Sequence, residues 1–138
     1  MKGYDDKDRS EGLLRQAFDL DPEVLDTYVV FYKFYFYHRL LSEADQWIQL
    51  ALDKSASQGG FERDWNKLTI NDAKWDDVEG PERIFLYSMK AMAFIGMKRG
   101  DFNTPGVVLA QLAALDPGDQ VGWSVVLQMF ERVAYNND

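Results

Sequence analysis

Side chains suited to chemistry are sparse in this chain. His38 is its only histidine and it has no cysteine, which excludes disulfides, thiol catalysis, zinc–thiolate sites and iron–sulfur ligation. No serine or aspartate is placed by sequence to form a triad with His38, which falls near a predicted helix end and reads as structural. Asp72, Asp76, Asp77 and Glu79 share one polar stretch that could offer oxygen ligands to a hard cation. That stretch lacks the regular ligand spacing and internal glycine of a calcium loop, so it reads as a solvated acidic segment. No Gly-rich phosphate loop is present, and Gly59-Gly60 reads as a helix stop. The residues therefore predict a protein that is not an enzyme, with no metal and no cofactor.

Charge and composition narrow the partners. The 138 residues carry a formal charge of −8, which disfavours a broad nucleic-acid footprint and an acidic membrane surface, since both need clustered Lys and Arg. The longest greasy run, Tyr28 to Tyr37, is interrupted by Lys33 and is far shorter than the roughly 20 residues of a spanning helix. The first residues lack the apolar segment of a secretory signal, and the expectation is a soluble, cytoplasmic chain. A single domain of this length buries roughly 65–70% of its unfolded surface, enough for a core without metal or disulfide.

Hydrophobic periodicity predicts helices throughout. The first covers Glu11 to Asp19, with Leu13, Leu14, Ala17 and Phe18 on one face. Asp21 is placed to cap the next, Pro22 to occupy its first turn, and the helix to run to His38 or Arg39. Within it, Val29 to Tyr37 is rich in β-branched and aromatic residues, which also suits a strand. The helix-start signal before it and the absence of strict alternation favour a helix with two buried faces. Ser42-Glu43-Ala44-Asp45 starts a third helix that ends near Ser57. From Phe61 to Gly80 no period is sustained, predicting a long inserted connection in which Trp65 and Trp75 pin the loop to the core. Gly80-Pro81 opens a helix to Lys98, Thr104-Pro105 another to Leu115, and a last one spans Gly118 to Ala134.

The same helix-pair pattern occurs twice in one phase. Leu25, Tyr28, Phe31, Tyr32, Tyr35, Ala44, Ile48 and Ala51 mark the first unit; Met89, Met92, Gly100, Leu109 and Leu115-Asp116-Pro117 mark the second. Ala17-Phe18-Asp19-Leu20-Asp21-Pro22 reads as the tail of an earlier one. With its period of about 34 residues, this resembles the tetratricopeptide repeat family. Tyr28, Phe31, Tyr35, Ala44, Ile48 and Ala51 fall on that family's packing positions, and Gly100 and Pro117 on its turn glycine and closing proline. Tyr32, Gly96 and Pro105 depart from it, marking divergent repeats.

The resemblance implies an all-α fold of stacked antiparallel helical hairpins, an alpha-alpha superhelix, with a C-terminal capping helix. Its parts would be a partial first unit at residues 11–22, a repeat at 25–58, an inserted loop at 59–80, a repeat at 81–117 and the cap at 118–135. It also implies that the first helix of each hairpin lines a concave groove for a partner segment. By phase, that groove holds Asp26, Val29, Lys33, Phe36 and Tyr37 from one unit and Tyr87, Lys90, Phe94, Met97 and Lys98 from the next. The lysines suit an acidic or carboxylate-ended peptide, and the aromatics supply contact area. Val29 and Lys33 stand where chaperone-binding members carry Lys and Asn, so their carboxylate clamp is not reproduced. The expected function is a non-catalytic adaptor or assembly factor. The alternatives are a cytoplasmic chaperone for a secreted or metal-containing client, and a homodimeric structural subunit joined through Trp123, Leu127 and Phe130.

Overall fold

A computed structural model describes the backbone of residues 2–136 and the side chains of residues 6–135. Its elements, in order, are α1 (Lys2–Leu20), α2 (Leu25–Tyr37), α3 (Leu41–Gly59), a 3-10 turn at Trp65–Lys67, α4 (Pro81–Lys98), α5 (Thr104–Leu115) and α6 (Trp123–Asn136). The fold is all-α and helical-repeat in kind: each helix packs chiefly on its neighbours in the chain, α3 most extensively, against both α2 and α4. The described residues contain no strand. The aromatic run of α2 is helical because Tyr28, Phe31, Tyr32 and Tyr35 are all buried, and only a 3.6-residue period puts those four on contiguous faces.

Pairs across the structure give its direction. Tyr32 meets Ser88 and Phe36 meets Phe94, so the contacts advance the same way along α2 and α4 and the two helices run parallel. α3 is the antiparallel return between them. The first-unit core is aromatic: Phe31 stacks on Trp47 with ring centroids 3.8 Å apart, and Phe18 of α1 meets Trp47 edge-on at 5.2 Å. Ala44, Ala51, Leu52 and Ile48 are fully buried, the small residues letting α3 approach its neighbours closely.

Several boundaries differ from the sequence reading, for local reasons. α1 starts at Lys2 rather than Glu11; the preceding polar stretch is helical without the apolar periodicity that would announce it. Asp21 does not cap α2: its carboxylate accepts the Glu23 N–H at 3.0 Å, closing a turn, and α2 begins at Leu25 with no side-chain cap. α3 likewise starts at Leu41 with no side-chain cap, so Ser42 and Glu43 form no capping box. It ends where Gly60 takes φ +70°, a left-handed stop that glycine adopts without strain. α6 starts at Trp123 instead of Gly118, because the Asp116 carboxylate accepts the Gln120 and Val121 N–H groups, both at 3.0 Å, and holds that stretch as a loop.

The other departures from the repeat pattern explain one another. Pro105 is fully buried, and a Cβ built on Gly96 would lie 3.0 Å from its ring. Glycine replaces a large residue there because the proline occupies the space.

Residues 61–80 are fastened down on several sides. Trp75 is 4% exposed, meets Phe61 at 5.0 Å and donates its indole N–H to the Thr69 carbonyl at 2.9 Å. Phe61 meets Phe85 of α4 edge-on at 5.0 Å. Gln111 of α5 donates to the Trp65 and Leu68 carbonyls at 2.7 and 2.8 Å, and Arg63 bonds Asp53 and Gln49 of α3.

α6 places its stripes opposite to the expected dimer face. Trp123, Leu127 and Phe130 pack against the core, Trp123 donates to the Asp116 carbonyl at 2.7 Å, and Phe130 lies against Gly106. These side chains pack within the chain; the apolar residues that α6 exposes are Val125 (60%), Val133 (37%) and Tyr135 (81%). No helix among the described residues is long and apolar enough to cross a membrane.

Candidate functional site

Because α2 and α4 run side by side, the faces they turn away from α3 bound a groove. Tyr32 stands in their contact where a small residue would let them close. Its hydroxyl lies 3.4 Å from Ser88 Oγ, both residues buried, and the ring keeps the backbones apart. Burial pushes the Tyr32 phenol up to about 12, with the Ser88 hydrogen bond opposing, so it stays protonated as a neutral floor.

The cavity above it measures about 520 Å³. One wall is Asp26, Val29, Val30, Lys33 and Phe36 of α2; the other is Ile84, Tyr87, Lys90, Ala91 and Phe94 of α4; Tyr32, Ile48 and Ile95 form its base. Phe36 and Phe94 close one end, their rings 5.3 Å apart. At the other, Asp26 and Ile84 are shared with a second cavity of about 450 Å³ beside Val78, Gly80 and Arg83.

The cations are arranged around Tyr87. Lys90 Nζ lies 5.0 Å from that ring and donates to the Val121 carbonyl at 2.6 Å; the Arg83 guanidinium lies 6.0 Å from it and bonds Gln120. Both tie α4 to the loop before α6. Burial holds the Lys90 ammonium below the usual lysine range, and the Lys33 charge across the groove pushes the same way, while Asp119 opposes. Two positive groups thus share a largely apolar space. Lys33 is exposed and makes no hydrogen bond or ion pair among the described residues.

Of the residues expected at a groove, Lys33, Phe36, Tyr87, Lys90 and Phe94 come together, as do Asp26 and Val29. Tyr37, Met97 and Lys98 do not line the cavity. Tyr37 ends α2 and is 81% exposed; Met97 packs partly buried against the core; Lys98 Nζ sits 5.4 Å from the Phe94 ring, prolonging the positive strip beyond the enclosed part. Val30, Tyr32, Ile84 and Ala91 were not anticipated. Tyr32 was visible as an oversized residue in a tight contact, and Ile84 lies one turn before Tyr87 on the same face; Val30 and Ala91 carry no sequence signal.

The other candidates are absorbed locally. His38 follows α2 as its C-cap, its ring 4.6 Å from Phe34. In the acidic loop, Asp72 accepts the Thr69 N–H at 2.7 Å and Asp77 the Glu79 N–H at 3.0 Å, so these carboxylates shape turns. Among the described residues no group of three or more His, Asp or Glu side chains is placed to hold a metal. No protein-family model, curated protein or solved structure matches the chain.

Proposed function

We propose that this protein is a non-catalytic interaction module whose α2–α4 groove holds an acidic segment of a protein partner. The observation that carries the reading is the pair Lys33 and Lys90 on the rims of an apolar cavity in a chain of net charge −8. Positive charge concentrated at one concavity of an acidic surface selects an anionic ligand and steers its approach. Val30 at 47% exposure and Tyr87 at 38% leave apolar surface on both rims, of the kind that marks interaction sites. Kinship with tetratricopeptide repeats belongs to the same proposal: the hairpins α2–α3 and α4–α5, with α2 parallel to α4, agree with it. An adaptor or assembly role follows, and a cytoplasmic setting suits the absence of cysteine.

The test is affinity capture with the wild-type chain, with Lys33→Glu, and with Lys33→Glu plus Lys90→Glu, followed by calorimetry on the captured partner. Lys33→Glu removes no intramolecular hydrogen bond or ion pair among the described residues, so its circular dichroism should match wild type. Captured partner should fall with the single variant and vanish with the double. Capture unaffected by both variants but abolished by Val125→Asp on α6 would refute the groove in favour of an end-face interface.

A further inference from the structure

The charges along the groove are not of one sign. Asp26 and Lys33 both belong to α2 and both line the cavity. Seven residues apart, they lie two turns apart on one face, about 10 Å along the axis. Neither makes a hydrogen bond or ion pair among the described residues. The neighbouring charges are engaged elsewhere: Glu23 with Lys54, Arg83 with Gln120, and Lys90 with the Val121 carbonyl. Asp26 therefore stands as a negative charge with no side-chain counter-ion among the described residues at one end of the groove, and Lys33 with Lys90 as a positive pair further along. Between them the walls are apolar: Val29, Val30 and Ile84.

We propose that the bound segment is bipolar, with a carboxylate seated between Lys33 and Lys90 and a Lys or Arg side chain beside Asp26, separated by three residues in an extended chain, the middle one apolar. An extended chain rises about 3.3 Å per residue and its side chains alternate, so same-side residues lie about 7 or 13 Å apart; the four-residue spacing, with a long Lys or Arg side chain leaning along the chain, meets charges about 10 Å apart. Of the three intervening residues the middle one then points into the cavity on the same side as the two charges, and the two beside it point outward. A uniformly acidic segment would set a like charge against Asp26, which gives the groove a means of rejecting wrong partners. This inference rests on the groove reading above and goes beyond it by specifying the sign pattern and spacing of the ligand.

The experiment uses fluorescence anisotropy with three labelled peptides in a neutral Gly/Ser context, with cores Lys-Ser-Phe-Ser-Glu, the reversed Glu-Ser-Phe-Ser-Lys, and Gln-Ser-Phe-Ser-Glu. The wild-type chain should bind one or both bipolar peptides about fivefold more tightly than the Gln control, the upper range for one exposed charge pair. Asp26→Asn should erase that preference and Asp26→Lys invert it, with binding of the Gln control by Asp26→Asn changed by less than about twofold. Lys33→Glu should weaken all three peptides. If Lys33→Glu weakens all three while the wild-type chain does not discriminate bipolar from control, the bipolar inference falls and the groove stands. If Lys33→Glu weakens none, or no peptide binds at millimolar concentration, the groove reading falls with it.

Discussion

Trp75→Ala should release residues 61–80 from the helices while leaving the helices folded. Trp75 is almost wholly buried between Phe61 and Phe85, and its indole N–H closes the loop on Thr69. Truncating a buried aromatic to alanine costs about 3–5 kcal/mol, and the lost hydrogen bond about 1 more. Because the loop can open without the helices, this cost is drawn first from its own local stability, which also caps it. A weakening of about 3 kcal/mol raises the open population by roughly two orders of magnitude. Limited trypsin digestion reads this directly, since Arg63, Lys67 and Lys74 all lie in the loop and cleavage follows the open population when reclosing is fast. Cleavage at these sites should accelerate about a hundredfold, while helical circular dichroism stays near wild type, because the loop contributes only the three-residue 3-10 turn. Trp75→Phe keeps most of the ring packing and should accelerate cleavage far less. Unchanged cleavage would refute the assignment of Trp75 as the anchor, and collapse of the helical signal would show that loop and core are one cooperative unit.

Three further outcomes follow from the same structure. Tyr32 has its phenol pKa raised to about 12 in the folded chain against about 10 unfolded, so its contribution is complete below pH 10 and is lost as pH rises toward 12. At pH 11 the loss is about 1.4 kcal/mol, and urea unfolding of Tyr32→Phe should fall less between pH 8 and pH 11 than wild type by about that amount; equal slopes would contradict it. Asp116→Ala removes the acceptor for two backbone N–H groups in a mostly buried turn and should cost about 2–4 kcal/mol in chemical denaturation, with Asp116→Asn milder. Gly60→Ala meets no neighbouring atom, so its cost is conformational alone, about 1 kcal/mol, seen as a fall of several degrees in thermal midpoint.

The helices were legible because burial wrote their period into the chain. Phe31, Tyr35, Ala44, Ile48 and Ala51 recur at helical spacing and are all buried, and Pro81, Pro105 and Gly60 punctuate as their backbone chemistry requires. The helix starts were harder to read. Asp21 and Ser42 have the right side chains for capping, but Asp21 closes a turn and Leu40 precedes α3 uncapped, since local hydrogen bonding competes with several partners that sequence does not rank. The groove was legible only in part, by the phase of Lys33, Phe36, Lys90 and Phe94. Tyr37 and Lys98 share that phase but lie where α2 and α4 end, beyond the enclosed stretch.

Sequence alone determined that the chain is all-helical, that it lacks the ligands of a thiolate or zinc–thiolate centre, and that Lys33, Lys90 and Lys98 fall in phase on two helices. Those properties depend on residue type and on spacing within one element. Tertiary structure decided what no single helix contains: that Tyr32 holds α2 and α4 apart, that Lys33 and Lys90 face one cavity, and that Trp123, Leu127 and Phe130 turn inward. Each depends on contacts between residues far apart in the chain, set by how whole helices pack, and a one-dimensional period carries no record of which neighbour a face will meet.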